Sequence, residues 1–256
     1  MLPAMEPRAF RTIALLIVIL LPAAVGAAER LPEGFVNLRD VAPSIIQDMR
    51  YAGADNFTGR PLPGYDAPEC VLRRDVAEAL AHVQADLARE NLGLKTYDCY
   101  RPARAVAAFV RWAQQGEDNG ATKRFYPTLE KRSLFAQGYI AAHSRHSTGT
   151  AVDLTLVERA APPAPAFDRN AVYGACTAPA AQRAPDNSLD MGTGFDCFDD
   201  KSHTASTAIS GEQKRWRLRL GAAMRARGFH NYFREWWHFS LGARGRIYDF
   251  PIAPRP

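Results

Sequence analysis

The stretch SRHSTGTAVDLTLV at residues 144–157 joins a glycine-containing turn to a strand. Val152, Leu154 and Leu156 alternate with smaller or polar residues, which is the period of a β-strand. Asp153 lies between two of these apolar residues, so we expect it to be at least partly buried. A buried carboxylate requires hydrogen bonds or a metal. The stretch therefore predicts a core strand whose acid either binds a metal or caps backbone amides.

The segments on either side of this strand combine helices with short strands. A helix is predicted within residues 72–90, because Val76, Leu80, Val83 and Leu87 recur at helical spacing. The other predicted elements are strands at 44–51 and 94–100, helices at 102–115 and 210–228, and a strand or strand pair at 229–241. Without regular βα alternation or a glycine-rich phosphate loop, this order favours an α+β fold with a single domain.

Composition excludes several classes of protein. The chain has 256 residues, of which 47% are hydrophobic and 23% charged, which is ordinary for a globular protein and excludes a disordered chain, a collagen and a coiled coil. The formal net charge of +5 is small, and the sequence contains no block of consecutive Lys or Arg residues. We therefore expect no nucleic-acid partner.

The N-terminus has the three parts of a secretory signal peptide. Arg8 and Arg11 precede the apolar run Ile13 to Leu21, and small residues follow at 23–28. The alternative is an uncleaved anchor helix, but the run is about half of the roughly 20 residues that span a bilayer. We expect residues 1–28 to be the signal peptide, residues 29–256 to be the mature folded domain, and the mature protein to be periplasmic or secreted without a stable membrane partner.

The four cysteines predict two disulfides, because an even number in an exported chain favours pairing. Three pairings are open, and Cys70–Cys99 with Cys176–Cys197 is favoured because each pair brackets one structural unit. A four-thiolate zinc site is the alternative, although no two of these cysteines form a C-x-x-C pair. The Ala- and Pro-rich residues 158–190 are predicted to form a long loop that the second disulfide ties at its base.

A second chemistry-bearing segment is EWWH at residues 235–238. Taken alone, His238 could be a core histidine and Glu235 an exposed acid, and on a straight strand the two would face opposite sides. Taken with His146 and Asp153, His238 completes a set of two imidazoles and one carboxylate. Such a set with a fourth position open to water is typical of a catalytic zinc site. Glu235 is then the carboxylate that deprotonates the water.

Arg101 is the third candidate, in the segment DCYRP at residues 98–102. It ends a predicted strand, and Pro102 opens the next helix. This position aims a guanidinium into a cleft, where it would stabilise a developing oxyanion. The alternative is an ordinary surface ion pair.

Taken together, these motifs resemble the VanX-type zinc D-alanyl-D-alanine dipeptidases over roughly residues 34–252. The resemblance is carried, in the same order as in that family, by DNFTG at 55–59, YRP at 100–102, S-x-H-x-x-G-x-A-x-D at 144–153, MGTGFD at 191–196, EWWH at 235–238 and YDFP at 248–251. The implied fold is a small α+β domain in which helices flank a central antiparallel sheet. Zinc D,D-carboxypeptidases and the hedgehog signalling domain share this fold.

The resemblance also implies residue roles and one zinc ion per chain. His146, Asp153 and His238 would bind zinc, Glu235 would be general base and acid, and Arg101 would stabilise the tetrahedral intermediate. Three further residues fall where the family holds the substrate's free amino group: Tyr139, Ser144 and Asp196. An ammonium in a confined site needs a carboxylate, and we expect Asp196 to supply it.

The resemblance implies hydrolysis of D-Ala-D-Ala to two D-alanines, in cell-wall dipeptide turnover or glycopeptide resistance. A D,D-carboxypeptidase or peptidoglycan endopeptidase on the same fold is the alternative, and a non-catalytic zinc-stabilised binding module is a remote one. This chain departs from the compact members of the family by its expected export, its four cysteines and its longer 158–190 segment. We expect that segment to reshape the entrance to the site.

Overall fold

The computed structural model describes residue 1 and residues 31–116, 120–243 and 245–255. The predicted signal peptide therefore lies almost wholly outside the described residues. Within the described part of the chain, no helix is long and apolar enough to cross a membrane.

A five-stranded sheet forms the centre of the fold. Its strands follow the order β2-β4-β5-β7-β6, and a separate two-stranded sheet pairs β1 with β3. The strands are β1 (Phe35–Asn37), β2 (Ile46–Gln47), β3 (Val71–Arg73), β4 (Leu92–Asp98), β5 (Ala151–Glu158), β6 (Phe229–Asn231) and β7 (His238–Leu241). All pairs in the central sheet are antiparallel except β2 with β4. The predicted α+β class is confirmed, with one parallel pair at the edge of the sheet.

In the described part of the chain, four α-helices accompany the sheets: α1 (Leu38–Val41), α2 (Arg74–Ala88), α3 (Ala103–Gln114) and α4 (Gly211–Arg225). The apolar side of α2 is buried as its spacing predicts, with Val76, Leu80, Val83 and Leu87 all inaccessible to solvent. At the start of α4, Ser210 and Gln213 form a reciprocal capping box. This cap satisfies backbone amides that the first turn would otherwise leave unpaired.

One predicted strand is shorter than expected, and the segment predicted as a strand or strand pair is a pair. The strand expected at 44–51 is only two residues long, because the chain turns into a 3₁₀ helix at Arg50–Ala52. The aromatic segment 229–241 divides into β6 and β7, which pair with each other in antiparallel fashion. The turn between them contains most of the EWWH motif.

The structure contains the two predicted disulfides, Cys70–Cys99 and Cys176–Cys197. The 158–190 segment returns to the sheet at Asp186, whose carboxylate accepts hydrogen bonds from Lys95 Nζ and from Tyr97 OH at 2.6 Å. Arg50 lies 3.3 Å from the same carboxylate. These contacts attach the end of the segment to the face of β4.

Candidate active site

Strand pairing brings two chemistry-bearing residues together at the centre of the sheet. Asp153 on β5 lies directly opposite His238 on β7. His146 reaches the same point from a 3₁₀ turn at His146–Thr148 that Gly149 closes with φ of +74°. A side chain at Gly149 would collide with the ring of Phe35, so this turn requires glycine.

The three side chains form a small triangle of ligand atoms. His238 Nδ1 lies 2.9 Å from Asp153 Oδ1, His146 Nε2 lies 3.3 Å from the same oxygen, and the two ring nitrogens are 3.1 Å apart. Bonds of 2.0–2.1 Å in a tetrahedral site place neighbouring ligand atoms about 3.3 Å apart. The donor set and its spacing therefore fit one divalent metal ion with a fourth position left open.

A backbone contact fixes the tautomer of His146. Its Nδ1 donates to the carbonyl oxygen of Cys99 at 2.7 Å, and Asp98 Oδ2 lies 3.2 Å from the same nitrogen. A proton held on Nδ1 leaves the lone pair of Nε2 free for a metal. Such outer hydrogen bonds orient histidine ligands in most metal sites.

The turn between β6 and β7 brings Glu235 to the same side as His238. The amide of Glu235 donates to the carbonyl of Tyr232, and the amide of His238 donates to the carbonyl of Glu235. As a result, Glu235 Oε2 lies 3.8 Å from His238 Nδ1. Burial raises the pKa of Glu235 well above its ordinary value, and the nearby carboxylates of Asp153 and Asp196 raise it further. The charge of a bound divalent cation would oppose this rise.

Arg101 is half-buried beside the triangle, and its ion pair with the buried Asp98 is not a surface ion pair. Its guanidinium lies 2.8 Å from Asp98 Oδ2 and 3.7 Å from Asp153 Oδ2. It also stacks 5.0 Å from the ring centres of Tyr51 and Phe109. The side chain is therefore held rigidly with donors directed toward the reacting region.

One cavity of about 450 Å³ contains all of these groups. Tyr139, Ser144 and Asp196 also line it, so the structure brings the three residues predicted for the ammonium together with the triangle, Glu235 and Arg101. Asp196 has φ of +54°, a conformation that Asp and Asn tolerate better than most residues. Burial, followed by the charge of Asp153, raises the pKa of Asp196. An ammonium placed beside it would favour the ionised form.

Tyr51 and Asp98 take part in the site without having been assigned a role from the sequence. Tyr51 OH donates to Asp196 Oδ2 at 2.7 Å, and Asp98 contacts both Arg101 and His146. Asp98 lies three residues before Arg101, and this spacing is the sequence signal from which the ion pair could have been predicted. Tyr51 carries no such signal, because its partner lies 145 residues away.

The 158–190 segment does not reach this cavity, contrary to the expectation that it reshapes the entrance. None of the described residues that line the cavity belongs to this segment. Its contacts with Lys95 and Tyr97 direct it behind the site, where it borders separate cavities. The segment therefore contributes no described residue to the wall of the catalytic cavity.

Comparison with known proteins agrees with this geometry. A family model described as D-ala-D-ala dipeptidase, of the M15 peptidases, matches residues 32–163 and 172–253. The chain is 33% identical over 222 residues to the D-alanyl-D-alanine dipeptidase of Enterococcus faecium, and 35% identical over 222 residues to that of Streptomyces coelicolor. Both alignments cover 86% of this chain and 98% of the relative.

A more distant relative gives the same result. The D-alanyl-D-alanine dipeptidase of Escherichia coli is 30% identical over 206 residues, which cover 80% of this chain and 83% of the relative. The gap in the family match, at 164–171, falls inside the segment that lies behind the cavity. The chain therefore belongs to the M15 peptidase family of D-Ala-D-Ala dipeptidases and is a metallopeptidase.

Proposed function

We propose that the enzyme hydrolyses the free dipeptide D-Ala-D-Ala to two D-alanines with one zinc ion held by His146, Asp153 and His238. The observation that carries this proposal is the triangle of ligand atoms, 2.9–3.3 Å on each side, with the Glu235 carboxylate beside it in the same cavity. The proposed substrate is the dipeptide that appears in the names of the relatives. The proposal includes the fold that the sequence resemblance implies, which zinc D,D-carboxypeptidases and the hedgehog signalling domain share.

His146, Asp153 and His238 would hold the zinc ion, which when bound would supply Lewis acidity toward a carbonyl oxygen and lower the pKa of water. Glu235 accepts the proton of the attacking water on a carboxylate oxygen and then delivers it to the nitrogen of the leaving D-alanine. Arg101 donates hydrogen bonds to the oxygen that gains negative charge. Asp98 keeps the guanidinium of Arg101 in place through their 2.8 Å contact.

Asp196 is the proposed acceptor for the ammonium of the first D-alanine. Tyr51 OH holds one oxygen of this carboxylate at 2.7 Å, so the acid has a fixed direction. Tyr139 and Ser144 line the same cavity and provide neutral hydrogen-bonding groups. A buried carboxylate without a charged partner favours a cation, so this end of the cavity selects a free amino terminus.

The experiment is alanine release by the mature, zinc-loaded protein. D-Ala-D-Ala and an N-acylated peptide ending in D-Ala-D-Ala are offered in parallel, with and without chelator. The expected result is chelator-sensitive cleavage of the free dipeptide alone. Cleavage of the blocked peptide would indicate a D,D-carboxypeptidase or endopeptidase, and cleavage of neither would overturn the assigned substrate.

We also propose that the enzyme is exported and acts on wall-derived dipeptide, in turnover or in glycopeptide resistance. The support is the basic and apolar N-terminal sequence followed by small residues at 23–28. N-terminal sequencing of the protein recovered from the periplasmic fraction is expected to begin at residue 28 or 29. Recovery of the full-length chain in the cytosol would overturn the proposal.

A further inference from the structure

The wall of the catalytic cavity contains an arginine whose charge is not neutralised. Arg145 is half-buried and lines the cavity together with His146 and Ser240. Within the described ranges, no carboxylate lies within ion-pair distance of its guanidinium. Arg101 in the same cavity differs, because Asp98 pairs with it at 2.8 Å. A partly desolvated cation without a counter-ion favours the binding of an anion.

Two neutral acceptors hold this guanidinium in a fixed position. One terminal nitrogen donates to Ser240 Oγ at 2.9 Å, and the other donates to the carbonyl of Gly242 at 2.8 Å. The third nitrogen, Nε, is buried and has no hydrogen-bond partner among the described residues. A guanidinium has five N–H donors. Two of them are used and the Nε–H is buried, so one N–H on each terminal nitrogen remains for a ligand. The group is pre-organised, and binding a carboxylate to it requires little further ordering.

The position of Arg145 relative to the metal ligands matches the size of a dipeptide. Ser240 follows His238 by two residues on β7, so both side chains face the cavity about 6.7 Å apart along the strand. In a dipeptide the scissile carbonyl carbon and the terminal carboxylate carbon are about 3–4 Å apart. A charge-assisted hydrogen bond adds about 2.8 Å. The two lengths sum to about 6–7 Å, which is comparable with the spacing of His238 and Ser240, whose hydroxyl contacts the guanidinium of Arg145.

We propose that Arg145 binds the C-terminal carboxylate of the substrate. This inference rests on the proposed dipeptidase function and deepens it, because it assigns the second charged end of the dipeptide. Asp196 would bind the ammonium and Arg145 the carboxylate, and both line the same cavity as His146, Asp153 and His238. The enzyme therefore selects a short zwitterion by both of its termini.

The test compares D-Ala-D-Ala with D-alanyl-D-alaninamide, which has the same scissile bond but no terminal carboxylate. The wild-type enzyme is expected to prefer the acid by about 10- to 100-fold in kcat/KM, the range of one charge-assisted contact. Arg145→Gln is expected to bring this ratio close to one, mainly through the acid substrate. Arg145→Lys, which keeps the charge but loses the planar fork, is expected to give an intermediate ratio.

Arg246→Gln is the matched control, because Arg246 is an exposed arginine near the same strand that does not line the cavity. It is expected to keep the wild-type ratio. If Arg145→Gln lowers the two substrates equally, Arg145 only connects the turn to β7 and the proposal is overturned. An equal rate for acid and amide in the wild type would also overturn it, while the dipeptidase function would stand.

A binding measurement separates recognition from turnover. Glu235→Gln with zinc bound is expected to bind intact D-Ala-D-Ala more tightly than the amide in calorimetry. Adding Arg145→Gln is expected to remove that difference. If the wild type cleaves neither substrate and Glu235→Gln binds neither, the proposed function fails and the carboxylate site falls with it.

Discussion

The carbonyl oxygen of Cys99 accepts a hydrogen bond of 2.7 Å from Nδ1 of His146. Cys99 is also bonded to Cys70, which follows β1 and the 3₁₀ helix in sequence and immediately precedes β3. The disulfide thus fixes the strand end whose backbone orients one of the three proposed metal ligands. Because a metal site loses affinity when the outer hydrogen bond of a ligand is disturbed, we expect this covalent bond to support metal binding as well as stability.

Removing this disulfide is expected to weaken metal binding. Cys70→Ala/Cys99→Ala should lower zinc affinity about tenfold and lower the free energy of unfolding by about 3 kcal/mol. Chelator competition measures the first effect, and urea unfolding of the metal-free protein measures the second.

The other disulfide provides the control. Cys176→Ala/Cys197→Ala should destabilise the fold by a similar amount, because the two bonds close chain segments of 21 and 29 residues. Since Cys197 follows Asp196, we expect this variant to raise KM and leave zinc affinity unchanged. Equal zinc affinities in the two double variants would contradict the link between Cys99 and His146.

Replacing Glu235 is expected to remove turnover while keeping the metal. Glu235→Ala should retain zinc after dialysis, because the carboxylate is not one of the three ligand atoms. Its kcat should fall by about 10²- to 10⁴-fold, the usual contribution of a general base. Metal analysis and single-turnover kinetics measure the two quantities. Activity above a tenth of the wild-type value would exclude Glu235 as the base.

His238→Ala serves as the opposite control. It removes one corner of the triangle and should lower the zinc content of the dialysed protein. If both variants keep a full zinc complement, His238 does not hold the metal.

The parts of this structure that sequence reasoning predicts are those set by local pattern. The α2 helix follows from the spacing of Val76, Leu80, Val83 and Leu87, and the start of α4 follows from the Ser210 cap. The ligand atoms of His146, Asp153 and His238 lie together because the motifs that contain them fall on adjacent strands and on the turn before β5.

The remaining features depend on contacts between distant parts of the chain. Tyr51 and Asp196 lie 145 residues apart, and Lys95 and Asp186 lie 91 residues apart. Neither pair follows from spacing or composition. The path of the 158–190 segment does not follow from local pattern for the same reason, because its contacts, such as Asp186 with Lys95 and the bridge between Ser188 and Val157, are set only in the folded chain.

Asp186 is expected to make stability depend on acid pH. Burial acts to raise its pKa, but the charges of Lys95 and Arg50 and the hydrogen bond from Tyr97 outweigh burial and hold the pKa well below its ordinary value. A lowered folded-state pKa stabilises the protein above the unfolded value of about 3.9, and this contribution is lost as the pH falls toward the folded value.

Asp186→Asn should therefore lower the free energy of unfolding by about 3 kcal/mol at neutral pH, and by less at a pH below the unfolded value. Urea unfolding with chelator present measures this without interference from the metal site. Asp168→Asn, an exposed carboxylate in the same segment, should change little at either pH. A loss in Asp186→Asn that does not shrink in acid would exclude its ion pairs as the cause.

Asp196→Asn is expected to weaken recognition of the free amino terminus. Asn tolerates φ of +54° and preserves the shape of the side chain, so the backbone should stay in place. Loss of the negative charge should lower kcat/KM for D-Ala-D-Ala by about 10- to 100-fold, mainly through KM. Asp190→Asn is the control, since Asp190 contacts Arg183 and Gln213 and does not line the cavity. Both variants replace one carboxylate in the same short stretch of chain, residues 190–196. Equal losses of kcat/KM in the two variants would therefore indicate that these carboxylates matter only for folding. A loss confined to Asp196→Asn would assign the ammonium to this carboxylate.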